Sequence, residues 1–425
     1  MRLKREERLP LLLVVLVLTF FYPHYLTKGE SETIALVNGI LIDGTGVKPV
    51  PDSVVVIEGE HIVDVGRRKD IQIPVGAKVI DVRGGTMLPG FINAHVHSML
   101  NEDNLRKWAW SGVTTVRDIG SQPDFSLRDK FGLDNANARL VMSGPLVTVP
   151  EGYPIVPWGG AGLALTVDSP EDARQKVGML LDEGADIIKI AIERGDTLPR
   201  RVPNTLTLEE AFAIVEVAHN HGTIVSAHVT ASRDLDRAIT AGVDDIAHMV
   251  VDTLPADLLG RIARDDVYWV PTLELWKCVG HGYREAAIEN LRRFIEAGGR
   301  GRVALGTDFN GYNCSWQSGM PMTEMELMQE AGMTPMEIIL SATKNAAYVC
   351  NKEKELGTVE SGKVADVIVV EANPLEDIHN LERVVMVIHN GTIIRNEMKS
   401  SAGFSWYGVC ISIVILFFLS GHRLS

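Results

Sequence analysis

Six residues far apart in the chain are of types that bind cations or carry protons, and each closes or sits within a short apolar run. They are His95 and His97 in PGFINAHVHS, Lys189 in ADIIKI, His228 in TIVSAH, His248 in DDIAHM and Asp308 in RVALGTD. His95 and His97 are two apart on an extended segment, so both rings project to the same side and can grip one cation. An isolated His-x-His, or a single strand-end histidine such as His228 or His248, carries little information. It is their joint placement that points to metal chemistry. Lys189 is the odd member, because a bare ammonium inside an apolar strand is costly to desolvate. Either it pairs with a neighbouring carboxylate such as Asp186 or Glu193, or it is chemically altered. Addition of carbon dioxide to its amine would give an anionic, bidentate carbamate able to bridge two metals. No Gly-x-Ser-x-Gly elbow is present, so no serine nucleophile is indicated.

These residues need a frame that brings strand ends together. Residues 89–350 alternate apolar strands with helical stretches whose starts are marked by Ser169-Pro170-Glu171-Asp172, Thr207-Leu208-Glu209-Glu210 and Thr334-Pro335-Met336-Glu337. The eight candidate strands are MLPGFINAH, TTVRDIG, ARLVMSG, ADIIKI, TIVSAH, DDIAHM, VYWVPTL and RVALGTD. Eight strands with crossover helices over this length are the pattern of an α/β protein of the (β/α)8 TIM-barrel type, whose catalytic groups sit at the C-terminal strand ends. Residues 30–88 and 351–397 read differently, as short β-branched runs with turns at Asn38-Gly39, Glu58-Gly59 and Asn390-Gly391. The two flanks are expected to pair as one composite β-sandwich domain.

Composition excludes several classes. The chain has 425 residues, 46% hydrophobic and 23% charged, which suits a protein with a large core and not a disordered or polytopic membrane chain. Lys+Arg 41 against Asp+Glu 55 gives a net charge of −14, with no basic cluster in the middle, so nucleic acid is not an expected partner. Four cysteines, Cys278, Cys314, Cys350 and Cys410, form no Cys-x-x-Cys pair and suggest no disulfide framework. Residues 1–29 carry basic residues and then an uncharged apolar run, which reads as a signal anchor or signal peptide. Residues 402–425 contain a second such run, with Trp406 and Tyr407 at its start and Arg423 beyond it, which reads as a transmembrane segment. The charge placement predicts attachment to membrane lipid with the catalytic part extracytoplasmic. A homo-oligomer is compatible with all of this.

Together, PGFINAHVHS, the strand lysine of ADIIKI, SAH, DDIAH and LGTD resemble the amidohydrolase superfamily, in the order that family uses, and ATKNAAYVCNKEKELGTVESGKVADVIVV resembles its return from barrel to sandwich. Within it, AHVTASRDLDRAITAGVDDIAHM and GMPMTEMELMQEAGMTPMEIILSATKNAA are similar to the imidazolonepropionase-related and Xaa-Pro dipeptidase-like branch. The resemblance implies two divalent metal ions. His95, His97 and Asp308 would hold the more buried one, and His228 and His248 the more exposed one. Carboxylated Lys189 and a hydroxide would bridge them. Zinc suits these ligands, though manganese or iron would also fit. Asp308 would be the proton carrier. Dipeptidase-like relatives often have a histidine or tyrosine just after the fifth-strand metal histidine, where Val229 and Thr230 stand here, so prolidase activity is in doubt while hydrolysis is not. Tyr153 and Trp158, in VPEGYPIVPWGGAG, are candidate pocket walls in what is otherwise a connector. Arg194 and Arg233 could receive a substrate carboxylate, or be solvated surface. His219, His221, His61, His281, His379 and His389 are not expected to bind metal, and Asp118 is expected to be a structural acceptor.

The leading functional expectation is a metal-dependent hydrolase of a C–N amide bond in a small molecule such as a dipeptide or N-acyl amino acid. A cyclic-amide hydrolase or deaminase is the second, and the bridging lysine argues against it. A membrane-anchored binding protein without catalysis is the third, and retention of every metal-site position argues against that.

Overall fold

The computed structural model describes residues 32–197, 201–280 and 282–398. One sheet of eight strands draws on both ends of this range. Its order runs Thr392–Asn396, Val384–His389, Val367–Val370, Thr86–Pro89, Thr33–Leu41, Val50–Glu58 and His61–Arg67, with Lys78–Asp81 pairing in parallel beside Thr33–Leu41. Strand Thr86–Pro89 pairs antiparallel with Val367–Val370, so segments about 280 residues apart share backbone hydrogen bonds. Alternate positions Leu36, Val55, Ile57, Met87, Val367 and Val369 fill the apolar core beneath it.

Glu58 and Gly59 turn the chain between two paired strands as their sequence suggests, as do Asn390 and Gly391. Asn38-Gly39 does not. It forms a bulge inside one long strand, where Asn38 takes φ 61 and its side chain donates to Asp81. A Cβ on Gly39 would lie 2.5 Å from Val82 Cγ2, which explains why the strand has a glycine there.

The intervening chain forms two parallel sheets. Strands Phe91–Val96, Val113–Asp118 and Arg139–Met142 make the first. Ala164–Thr166, Leu146–Thr148, Ile188–Ala191, Val225–His228, Asp245–Ala247 and Tyr268–Val270 make the second, in that spatial order. The run RVALGTD is not a regular strand, but it joins the two sheets. Ala304 donates to Trp269 and Ala94 donates to Leu305, while Asp308 donates to His95. The helices expected from capping signals begin where those signals stand. Ser169 caps Pro170–Asp182, and Thr207–Glu210 and Thr334–Glu337 form capping boxes for Leu208–Asn220 and Pro335–Ser341. Each cap supplies about 1 kcal/mol by satisfying amides that no helical carbonyl reaches.

Two features of the fold were not expected from sequence. Cys278 and Cys314, 36 residues apart, form a disulfide with their Cα atoms 6.0 Å apart, while Cys350 is free and buried. Arg117 is wholly buried in the strand Val113–Asp118 and makes a two-pronged ion pair with Asp245, at 2.7 and 3.1 Å, while also donating to the carbonyls of Ala94 and Val349. Ser226 donates to the same carboxylate. Arg117→Met should therefore lower stability by about 3–5 kcal/mol, because Asp245 is left charged and dry. Urea denaturation would measure it, and Arg117→Met/Asp245→Leu should recover most of the loss. A single variant as stable as the parent would mean that the pair is solvated.

The expectation of membrane attachment is corrected. Among the described residues no helix is long and apolar enough to cross a membrane. The terminal runs on which that expectation rested, within residues 1–29 and 402–425, lie outside the described residues.

Candidate metal centre

His95 lies in the strand Phe91–Val96 and His97 follows its last residue, so the alternation of an extended chain sends both rings one way while Val96 between them enters the core. Asp308 meets them from the far end of the chain. Its Oδ1 is 3.0 Å from Nε2 of His95 and 3.0 Å from Nε2 of His97, and the two nitrogens are 3.3 Å apart. Three donor atoms at such separations are spaced as ligands about 2.0–2.2 Å from a shared cation would be. Asn93 ties the two segments together. Its amide donates to Thr307 Oγ1 at 2.9 Å, and its oxygen accepts from the backbone N–H groups of His95 and Thr307.

His228 ends its strand in register with Ala191 on one side and Ala247 on the other. Lys189 lies two residues before Ala191, so it shares the face of His228. His248 comes one residue after Ala247, and in a regular strand it would face the opposite way. Its left-handed backbone, φ 73, ends the strand and brings its ring to 4.6 Å from that of His228, centroid to centroid. Asp308 is likewise left-handed, at φ 63. Non-glycine residues seldom adopt this conformation, and in both of these it carries a chemically active side chain to the cluster. Glycine at 311 leaves room for the Asp308 carboxylate, since a Cβ there would lie within 2.4 Å of both of its oxygens.

The four imidazoles form a continuous run, His97, His95, His248 and His228, with successive ring centroids 5.2, 4.7 and 4.6 Å apart. Burial pulls His95 and His248 well below the ordinary imidazole value and lowers His228 too, with the neighbouring cationic groups adding to it at His95 and His248. Burial also opposes the charge on His97, but the Asp308 carboxylate outweighs it and raises that ring. Neutral imidazoles are the metal-binding form. Thr272 Oγ1 lies 2.9 Å from Nδ1 of His248, which leaves Nε2 free to face the cavity.

Lys189 is 1% exposed, and its Nζ has no hydrogen-bond partner. The carboxylates weighed as partners are engaged elsewhere. Asp186 pairs with Arg128, and Glu193 accepts from Thr230 Oγ1 at 2.5 Å and the Gly195 amide at 2.6 Å. Burial, aided by the Arg117 charge and opposed by Asp245 and Asp308, lowers the Lys189 amine to about 7. Buried polar atoms are almost always satisfied, so this nitrogen, together with the unpartnered Nδ1 of His95 and Nε2 of His228, is the mark of a site built for something more than protein. The donor set fits divalent metal. Asp118 is not part of it, and accepts from the Met99 amide as a structural acceptor would.

Glu193 has a role that sequence reading did not assign. It is buried, and its Oε2 lies 3.6 Å from Nε2 of His228, too far for a hydrogen bond but close enough for its charge to act on that ring. Burial raises its carboxyl, yet His228, Thr230 and Gly195 together hold it below the usual value. The only advance signal was its position four residues after Lys189.

A cavity of about 550 Å³ opens over His228, His248 and Asp308. Tyr153 and Trp158 do line it, and Tyr153 stacks on the His228 ring at 3.9 Å and 17°. Arg194 and Arg233 line a separate groove instead. The Arg194 guanidinium is 3.4 Å from Asp234, and Arg233 is exposed in the first turn of the helix Ser232–Ala241. Among the described residues His219 pairs with Asp244, His379 with Asp377 and Glu326, and none of His61, His219, His221, His379 and His389 joins the cluster.

Residues 86–394 match the amidohydrolase family. An ochratoxinase from Aspergillus niger is 26% identical over 85% of this chain and 86% of its own. An imidazolonepropionase from Symbiobacterium thermophilum is 24% identical over 76% of this chain and 84% of its own. The crystal structure of a Xaa-Pro dipeptidase with methionine in its active site superposes with a TM-score of 0.71 at 27% identity, covering 85% of this chain and 99% of that one. The match spans most of the described chain and includes every residue of the histidine, lysine and aspartate cluster, and the chain therefore belongs to the amidohydrolase family, enzymes that hydrolyse carbon–nitrogen bonds.

Proposed function

We propose that this enzyme hydrolyses the amide bond of a dipeptide or N-acyl amino acid at a site for two divalent cations, zinc first among them. His95, His97 and Asp308 would hold one, and His228 and His248 the other. Lys189, carrying a carbamate, would join the two. The observation that carries this reading is the triangle of His95, His97 and Asp308 atoms beside a buried lysine nitrogen with no partner. The two parallel sheets, joined through residues 303–309, support a single (β/α)8 barrel over 89–350, with 30–88 and 351–397 as the accompanying β domain.

When bound, such cations polarise a carbonyl and make water a nucleophile near neutral pH. The protein's own groups do the rest. Asp308, at the cavity floor, accepts the proton of the attacking water and returns it to the leaving nitrogen, which departs as an amine. Tyr153 and the wall it belongs to exclude bulk water from His228. With their basicity lowered, His228 and His248 stay neutral, so each keeps one ring nitrogen without a proton.

Metal analysis of the purified protein, followed by a screen of dipeptides and N-acyl amino acids, tests this. About two divalent cations per chain should be found, turnover should vanish on chelation, and added zinc should restore it. A metal-free protein that hydrolyses amides at an undiminished rate would overturn the proposal.

A further inference from the structure

The cavity over the cluster has a floor that belongs to the chemistry and walls that do not. Those walls are aromatic on two sides. On one, Trp276 and Tyr283 stack with centroids 5.9 Å apart and planes 19° apart. On the other, Trp158 and Tyr312 meet edge to face at 5.7 Å and 76°. Trp158 and Tyr312 remain 45% and 39% exposed although both line the cavity, so their mutual contact leaves part of each ring uncovered.

The two walls come from separate parts of the chain, and one covalent bond ties them. Trp276 lies two residues before Cys278, in the helix Leu273–Val279, and Tyr312 lies two residues before Cys314. The Cys278–Cys314 disulfide therefore fixes the segment bearing Trp276 against the segment bearing Tyr312. The second segment begins at Asp308, so the same bond also limits how far that wall can move from the cluster.

We infer that the substrate carries an aromatic group beside the scissile C–N bond, received between the Trp276–Tyr283 and Trp158–Tyr312 walls. In this arrangement the Cys278–Cys314 bond sets the width of the slot. The inference rests on the amide-hydrolase reading for the position of the scissile bond, but the aromatic slot itself does not depend on it. Rings prefer offset-stacked or edge-to-face partners at centroid distances of about 4.5–7 Å, and both wall pairs show these geometries along one cavity of about 550 Å³. An aliphatic side chain would leave ring faces uncovered. A flat ring would cover them and displace water that has few hydrogen-bonding partners there.

The test uses the full-length, zinc-loaded protein and two probes that differ only in the ring, N-acetyl-L-phenylalanine and N-acetyl-L-alanine. Affinity is read by calorimetry and hydrolysis separately as kcat/KM. The phenylalanine probe should bind roughly 10-fold more tightly. Tyr312→Ala, at an exposed position that should tolerate truncation, should bring the ratio to about 3-fold or less with metal content unchanged, as should Trp276→Leu. Cys278→Ser/Cys314→Ser should lower the ratio in the same direction without altering bound metal. Equal affinity for both probes in the parent protein would overturn the inference, as would tight binding of tetramethylammonium in place of the aromatic probe. The two readings fail differently. Selective binding without hydrolysis of any amide would count against the proposed function alone, whereas hydrolysis of both probes with no preference would count against the aromatic slot alone.

Discussion

Asp308→Asn is expected to lower kcat by about 10²–10⁴-fold while leaving substrate affinity within a few-fold of the parent. The size follows from two losses at one atom. Oδ1 lies 3.0 Å from Nε2 of both His95 and His97, so its negative charge belongs to the set that would hold a cation. The same carboxylate borders the cavity and is the one acidic group among the described lining residues placed to take up a proton there. An amide in its place keeps the shape, and the glycine at 311 leaves the same room for it. It can neither neutralise a cation nor carry a proton. Metal content has to be measured beside the rate, because a variant that loses both has lost ligation, whereas one that keeps metal and loses turnover has lost the proton carrier. A metal-loaded Asn variant with parental turnover would remove Asp308 from catalysis.

Each member of the cluster gives a weak local signal, and their recurrence at successive strand ends is what made the cluster readable in the sequence. The two-residue repeat of an extended strand puts His95 and His97 on one side, and an apolar run around Lys189 makes an unpaired amine expensive whatever the fold. Capping boxes at Thr207 and Thr334 were legible because both partners lie within one turn. What the sequence did not reveal depends on contacts between distant segments. Nothing near Arg117 announces that Asp245 lies within reach of its guanidinium, and the 36-residue gap between Cys278 and Cys314 resembles no disulfide framework. Arg194 and Arg233 follow strand ends closely, so the sequence left them open as either substrate ligands or solvated surface. A helix starting at Ser232 leaves Arg233 exposed, and Asp234 draws Arg194 to itself. Asn38-Gly39 shows a different failure, in which a good turn signal serves a bulge because the strand continues past it to pair with Val50–Glu58. The expected membrane attachment drew on terminal residues that lie outside the described ones, and among the described residues no helix is long and apolar enough to cross a membrane.

Replacing Lys189 with alanine is expected to remove at least one of two bound cations and most of the activity, with partial recovery on adding short carboxylic acids. The argument begins with the environment of the side chain. Its Nζ is buried without a hydrogen-bond partner, on the same face of the sheet as His228, while Asp186 and Glu193 are committed to other groups. A protonated amine there would repel a cation and pay for desolvation. A neutral amine can add carbon dioxide, forming an N–C bond and releasing one proton, and the product is an anion with two oxygens. Burial lowers the amine to about 7, so its neutral fraction grows as the pH rises through neutrality. The sign of the stability effect follows from that shift. In the uncarboxylated protein the unfolded state binds one more proton than the folded state between about 7 and the ordinary lysine value, so stability should rise with pH across that window. Lys189→Ala should flatten that rise, a result readable by denaturation of metal-free protein without any activity assay. In the alanine variant the vacated space can admit acetate or propionate, whose carboxylate replaces the carbamate oxygens without the covalent tether. Recovery should therefore saturate with acid concentration and fall off for acids too long for the space. Full activity and two bound cations in the untreated alanine variant would exclude a bridging role for Lys189.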